Sequence, residues 1–175
     1  VEPTSGMGHL LAAPAPGDQE QPAVASDGTN WLVVWGDRRA GSDSDILGAR
    51  VSPDGEVLEA SGIVISRAER IQGKPRVAYN GTSYLVAWED FRSGTSYDIF
   101  AARVGTNGSV QDAAGIGVTE APDDQFAPWV ASDGTDFLVI WGGRTGGSDF
   151  DILGARVSGD GQVRDTQAIS VASAP

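Results

Sequence analysis

PRVAYNGTSYLVAW (residues 75–88) is the stretch that decides the fold, because it occurs three times. It stands 53 residues earlier as PAVASDGTNWLVVW (residues 22–35) and 53 residues later as PWVASDGTDFLVIW (residues 128–141). A fixed period of about 50 residues marks a repeat architecture, in which each unit buries its apolar face only by stacking on its neighbours. Inside each copy the apolar residues alternate. Asp27-Gly28, Asn80-Gly81 and Asp133-Gly134 are hairpin dipeptides, expected to place both central residues at positive φ. The runs that follow, 31–35, 84–88 and 137–141, are rich in aromatic and β-branched residues and predict the central strand of each unit.

Outward from that strand, DILGARV (residues 45–51) returns as DIFAARV (98–104) and DILGARV (151–157), a third strand. Asp54-Gly55, Asn107-Gly108 and Asp160-Gly161 then turn the chain towards outer strands at 63–65, 116–118 and 169–171. Four strands in about 50 residues, with a tryptophan at a constant place, fit a β-propeller blade. A β-sandwich would give no reason for a strict period. The expected fold is all-β: a propeller of three four-stranded antiparallel blades at residues 22–74, 75–127 and 128–175.

WEDFRSGTSYDIF (residues 88–100) resembles the W-x-D-x-R-x-G…D-I-Y/F repeat of secreted and surface-layer propeller proteins of bacteria and archaea. The resemblance runs from about residue 22 to residue 172. It implies a blade and a secreted or cell-surface location in a prokaryote, and it carries no single activity. Repeat one keeps the pattern as WGDRRAGSDSDI, whereas repeat three has Gly143 and Thr145 where Asp37/Asp90 and Arg39/Arg92 stand.

Three blades are too few for a closed ring, since propellers have about four to eight. A homodimer would supply six; a slice of a longer array is the alternative. Residues 1–21 precede the first blade, and Leu10 lies one period before Ile63, so a spare outer strand is expected near 9–13.

Composition excludes several functions. The 175 residues carry 12 Lys plus Arg against 24 Asp plus Glu, a net charge of -12, so nucleic acid and anionic membranes are repelled. No apolar run reaches the roughly 20 residues of a membrane span. The absence of cysteine removes disulfides and thiolate chemistry.

The residues recurring at core positions, Trp35/Trp88/Trp141 and Leu32/Leu85/Leu138, are expected to pack between blades. Asp45/Asp98/Asp151 and Arg50/Arg103/Arg156, five residues apart, are expected to form a recurring ion pair. Any ligand should sit on the face that gathers the second-to-third-strand loops and the blade-to-blade loops. That face holds Asp37, Arg39, Asp90, Arg92, Tyr97, Gln19, Gln72, Gln125, Phe126 and Phe150, a mixture of carboxylates, amides and aromatics suited to a glycan or a protein. Asp43 and Asp45 are weak calcium ligands by residue type, without a recognised calcium spacing, so no cofactor is required.

Catalysis finds little support in the sequence. His9 is the only histidine and lies outside the repeats. Glu89 beside Asp90 supplies two carboxylates, but neighbours on a strand point to opposite faces. SDGTNW resembles the aspartate box of sialidases with the wrong spacing. The expectation is therefore a non-catalytic secreted or surface module that binds a glycan or a protein, with a purely structural assembly propeller as the alternative and a glycosidase-like enzyme last.

Overall fold

The computed structural model describes residues 15–41, 43–144 and 149–173. They form three four-stranded antiparallel sheets, each following chain order. The first contains β1 (Gln19–Ser26), β2 (Trp31–Asp37), β3 (Asp45–Val51) and β4 (Ile63–Ser66). The second contains β5 (Gln72–Tyr79), β6 (Ser83–Asp90), β7 (Asp98–Gly105) and β8 (Ile116–Thr119). The third contains β9 (Phe126–Ser132), β10 (Phe137–Gly143), β11 (Asp151–Val157) and β12 (Ile169–Ala172). The first strands β1, β5 and β9 pack side by side, so the sheets radiate from them as propeller blades. The spare strand expected near 9–13 falls outside the described residues.

Each first strand starts ahead of its repeated proline and bulges at it. Register slips between Glu20 and Ala23 and between Gly73 and Arg76, and the third blade shows the same irregularity opposite Phe126. Proline has no N–H to give the ladder, so a bulge tolerates it. The residue before each proline, Gln21, Lys74 or Ala127, takes a left-handed φ of 57°, 50° or 52°. Such backbone costs on the order of 1–3 kcal/mol per residue in a non-glycine.

The first hairpins differ from the sequence expectation. Only Gly28, Gly81 and Gly134 have positive φ. The loops are four residues long, because Ser26 pairs with Trp31 and Asp27 N–H donates to Asn30 O at 3.1 Å. The Asp27 carboxylate accepts the Thr29 and Asn30 amides, and Asn80 and Asp133 repeat this. An Asx turn takes the place of a two-residue turn with both residues at positive φ.

The recurring ion pair also has other partners. Arg50 binds Glu59, Arg103 binds Asp112 and Arg156 binds Asp165, each nine residues on, across the outer hairpin. Asp45 instead meets Arg67 at 2.9 Å.

Burial follows position in the stack. Every residue of β6 is buried, because blade 2 is covered on both faces. In β2 the odd members Trp31, Val33 and Trp35 are the more exposed, whereas in β10 it is Leu138 and Ile140, the opposite phase. One core joins Leu32, Val34 and Ile46 of blade 1 to Tyr84, Val86 and Trp88 of blade 2. The other joins Leu85, Ala87 and Ile99 to Phe137, Val139 and Trp141. Each buried side chain of this size contributes about 1.5–3 kcal/mol.

Candidate functional site

At the inner, loop-side end of the blades one pair of facing positions breaks the repeat. Glu20 pairs with Gly36, Gly73 with Glu89, and Phe126 with Gly142. Each blade thus sets one large side chain across a bare partner. Phe126 lies so close over Gly142 that an added Cβ would stand 2.5 Å from its ring.

These side chains line a cleft of about 330 Å³ where the blades meet, with Glu20, Arg38, Lys74, Glu89, Tyr97 and Phe126 among its walls. Glu89 is buried, and its Oε1 accepts both Lys74 Nζ at 2.9 Å and the Ala127 amide at 2.7 Å. Both donors share Oε1, so Oε2 keeps its lone pairs free among the described residues. Glu20, half exposed, meets Arg38 at 3.1 Å. Lys74 N–H donates to Gln21 Oε1 at 2.7 Å, tying blade 2 to blade 1 at the strained bulge. Phe126 stands edge-on to Phe150 with centroids 4.8 Å apart, and Arg144 lies 4.6 Å over Phe150.

Of the residues expected on the ligand face, Tyr97 and Phe126 line this cleft, and Phe150 flanks it. Asp37, Arg39, Asp90 and Arg92 are used internally, which corrects their assignment as ligand contacts. Asp37 is buried, accepts Trp35 Nε1 at 2.7 Å and holds Arg39 by two guanidinium bonds and its backbone amide, while Arg39 Nη1 reaches Ser61 O. Asp90, Trp88, Arg92 and Ala114 repeat the clamp. In blade 3, where the aspartate is Gly143, Gln125 Oε1 accepts Trp141 Nε1 at 2.6 Å. Gln19 and Gln72 turn their amide donors to loop carbonyls, Gly17 and Arg70 respectively, so neither contacts the cleft as a ligand group. Asp45 gives its carboxylate to Arg67, against a role with Asp43 in calcium binding. Among the described residues no three His, Cys, Asp or Glu side chains gather as a metal requires.

Electrostatics separate these carboxylates. Burial opposes ionisation of Asp37, yet the Arg39 guanidinium and Trp35 indole outweigh it and hold the carboxyl below its ordinary value. Burial likewise opposes Asp112, and Arg103 outweighs it. Such groups stabilise the fold fully above the unfolded carboxylate value of about 4, and that stability is lost as pH falls through the lower folded values. The urea midpoint is thus expected to drop below about pH 4 with Asp37 and Asp112 protonation, and Asp112→Asn to lessen that drop.

Asp98 behaves oppositely. Burial pushes its carboxyl up, and the Glu120, Asp90 and Asp124 carboxylates add to this, against the Ala121 amide. Glu120 stands where blade 1 has Arg67, so the pairing cation is replaced by an anion. Ionised Asp98 costs stability above its raised folded value. Asp98→Asn is expected to raise the urea midpoint at pH 7, a gain that disappears near pH 4.

The sequence puts segments 17–21, 37–44 and 69–74 on the loop face without singling out Glu20, Arg38 or Lys74, and Glu89 is raised only to be set aside with Asp90. The signal was the divergence at two offsets, Glu20/Gly73/Phe126 and Gly36/Glu89/Gly142, in otherwise matching repeats.

No protein-family model and no curated protein sequence matches the chain. Solved structures with the same fold do. An endo-arabinase from Bacteroides thetaiotaomicron VPI-5482 has a TM-score of 0.59 at 12% identity, over 89% of this chain and 63% of that one. A thermostable family-43 glycoside hydrolase has a TM-score of 0.58 at 10% identity, over 94% and 57%. An alpha-L-arabinofuranosidase from Lactobacillus brevis has a TM-score of 0.56 at 14% identity, over 92% and 60%. The chain therefore spans about three fifths of the length of these proteins, and the likeness establishes the propeller fold.

These structures overturn the expectation of a non-catalytic binding or assembly module, with enzyme activity placed last. The same fold carries glycoside hydrolases, and hydrolysis of a glycosidic bond by two carboxyl groups requires no histidine.

Proposed function

We infer that the chain is a glycosidase-type propeller unit acting on an arabinose-containing polysaccharide, with Glu89 and Glu20 as its paired carboxylates. The observation that carries this reading is the cleft itself, which sets both carboxylates and the rings of Tyr97 and Phe126 around one space. Glycoside hydrolysis needs two carboxyl groups flanking the scissile bond, one as acid and the other as base or nucleophile. Glu89, buried and fixed by the Lys74 ammonium and the Ala127 amide, has the positional rigidity such a group requires. Glu20 lies nearer solvent beside Arg38, where protons and water exchange readily. The apolar rings offer faces for a sugar, and Lys74 and Arg38 offer donors for its hydroxyls. The substrate class comes from the named activities of the structurally similar enzymes. A polymer substrate agrees with a secreted or cell-surface location.

The test is release of reducing ends from arabinan and of nitrophenol from nitrophenyl arabinofuranosides by the purified chain. Release that Phe126→Ala weakens through KM supports the reading. Absence of release from every substrate, with protein shown folded by circular dichroism, overturns it.

A further inference from the structure

The two end faces of this chain match each other as neighbouring blades do. Between blades 1 and 2, Leu32 and Ile46 are covered by the blade that follows, and between blades 2 and 3 the same is true of Leu85 and Ile99. Their counterparts on blade 3, Leu138 and Ile152, are 42% and 44% exposed, against 0% for the other four. On the opposite side of the stack, Tyr84 and Phe137 are buried against the blade before, while their counterpart Trp31 on blade 1 is half exposed. Among the described residues, then, no blade covers the outward face of blade 3 or that of blade 1.

The polar contacts repeat this pattern. Arg50 Nη1 donates to Thr106 O at 2.8 Å and Arg103 Nη1 to Gly159 O at 3.4 Å, each onto the outer hairpin of the next blade. The position one period earlier on blade 1 is Pro53, whose carbonyl has the same place in its hairpin. Arg156 has its carboxylate partner Asp165 but its side chain is 58% exposed, against 18% and 17% for Arg50 and Arg103. At the loop side, Gln72 N–H donates to Ser44 O and Gln125 N–H to Tyr97 O, which leaves Phe150 O and Gln19 N–H as the next pair in the series. An open space of about 600 Å³ lies against Leu138, Phe137, Arg156 and Ile169. It sits where the equivalent space behind Leu85 is filled by Phe137.

We propose that blade 3 of one copy docks on blade 1 of a second copy, and the reverse, closing a six-bladed ring of two chains. The occupant is a second copy because the missing halves of every contact, Trp31, Pro53 and Gln19 on one side and Leu138, Arg156 and Phe150 on the other, are present on this chain. Two such contacts close by a two-fold axis and leave no open sheet face, and six blades lie within the usual range for propellers. The reading is independent of catalysis.

Light scattering on the purified chain tests it. The expected mass is twice the 18.1 kDa of one chain, with tryptophan emission shifting to the red on dilution as Trp31 is uncovered. Leu138→Glu is expected to abolish doubling at the same concentration while circular dichroism stays unchanged; should that variant not fold, the dilution series decides alone. A wild-type mass of 18.1 kDa, an open-ended series of larger masses, or a doubled mass that survives folded Leu138→Glu would each overturn the proposal.

Discussion

Glu89→Gln is expected to lower kcat/KM for glycoside hydrolysis by about 10²–10⁴-fold, the range typical for loss of a positioned acid or base. The substitution keeps the shape of the side chain. A glutamine Oε1 still accepts the Ala127 amide, so the strained bulge of β9 and the cleft wall stay in place. What is lost is the ionisable group and the charge facing Lys74 Nζ at 2.9 Å. The fall should therefore appear in kcat with KM little changed, and the unfolding free energy from urea titration should change by less than about 1 kcal/mol, as for an exchange at a partly solvated ion pair. Asp90→Asn supplies the contrast. Its carboxylate is tied to Trp88 and Arg92 on the other face of β6, so it is expected to cost stability rather than chemistry. A Glu89→Gln protein with wild-type kcat would remove Glu89 from the mechanism.

Trp88→Ala is expected to destabilise the fold by about 3–5 kcal/mol, measured by urea unfolding followed by near-ultraviolet circular dichroism. Trp88 is fully buried in the core between blades 1 and 2. Its Nε1–H donates to Asp90 Oδ2 at 2.8 Å, and Arg92, held by the same carboxylate, lies 3.8 Å over the ring of Phe100. Truncation opens a cavity and takes a donor from a buried charge at once. For a domain with about 5–15 kcal/mol in total, that is a large part of its stability. Trp88→Phe should recover most of the packing and retain only the loss of the hydrogen bond, about 1–3 kcal/mol. A loss below about 1 kcal/mol for Trp88→Ala would mean the blades are not held together by this core.

The site was legible in the sequence only in part. Tyr97 and Phe126 could be placed on the loop face, because loops between defined strands must lie at a defined end of a blade. Glu20 and Glu89 could not be brought together from their numbers, 69 positions apart and on different blades. The repeat drew attention instead to what recurs. Asp37/Arg39 and Asp90/Arg92 recur because two blades need the same clamp on a buried tryptophan, and the third meets that need with Gln125. Recurrence marked structure, while the singular residues Glu20, Lys74 and Glu89 line the cleft.

By itself the sequence determined the three four-stranded units and where their strands and turns fall, though not the type of the first turn in each. Period-two alternation and Asp-Gly or Asn-Gly turns act over a few residues, so strand identity follows from local chemistry. Only the tertiary structure decided the partners. Arg50 meets Glu59 rather than Asp45, Glu89 faces the cleft while Asp90 faces the core, and Leu138 is bare where Leu85 is covered. Each of these depends on register between strands and on which blade stands next in the stack, and distances across a sheet or between sheets are set by packing, not by spacing along the chain.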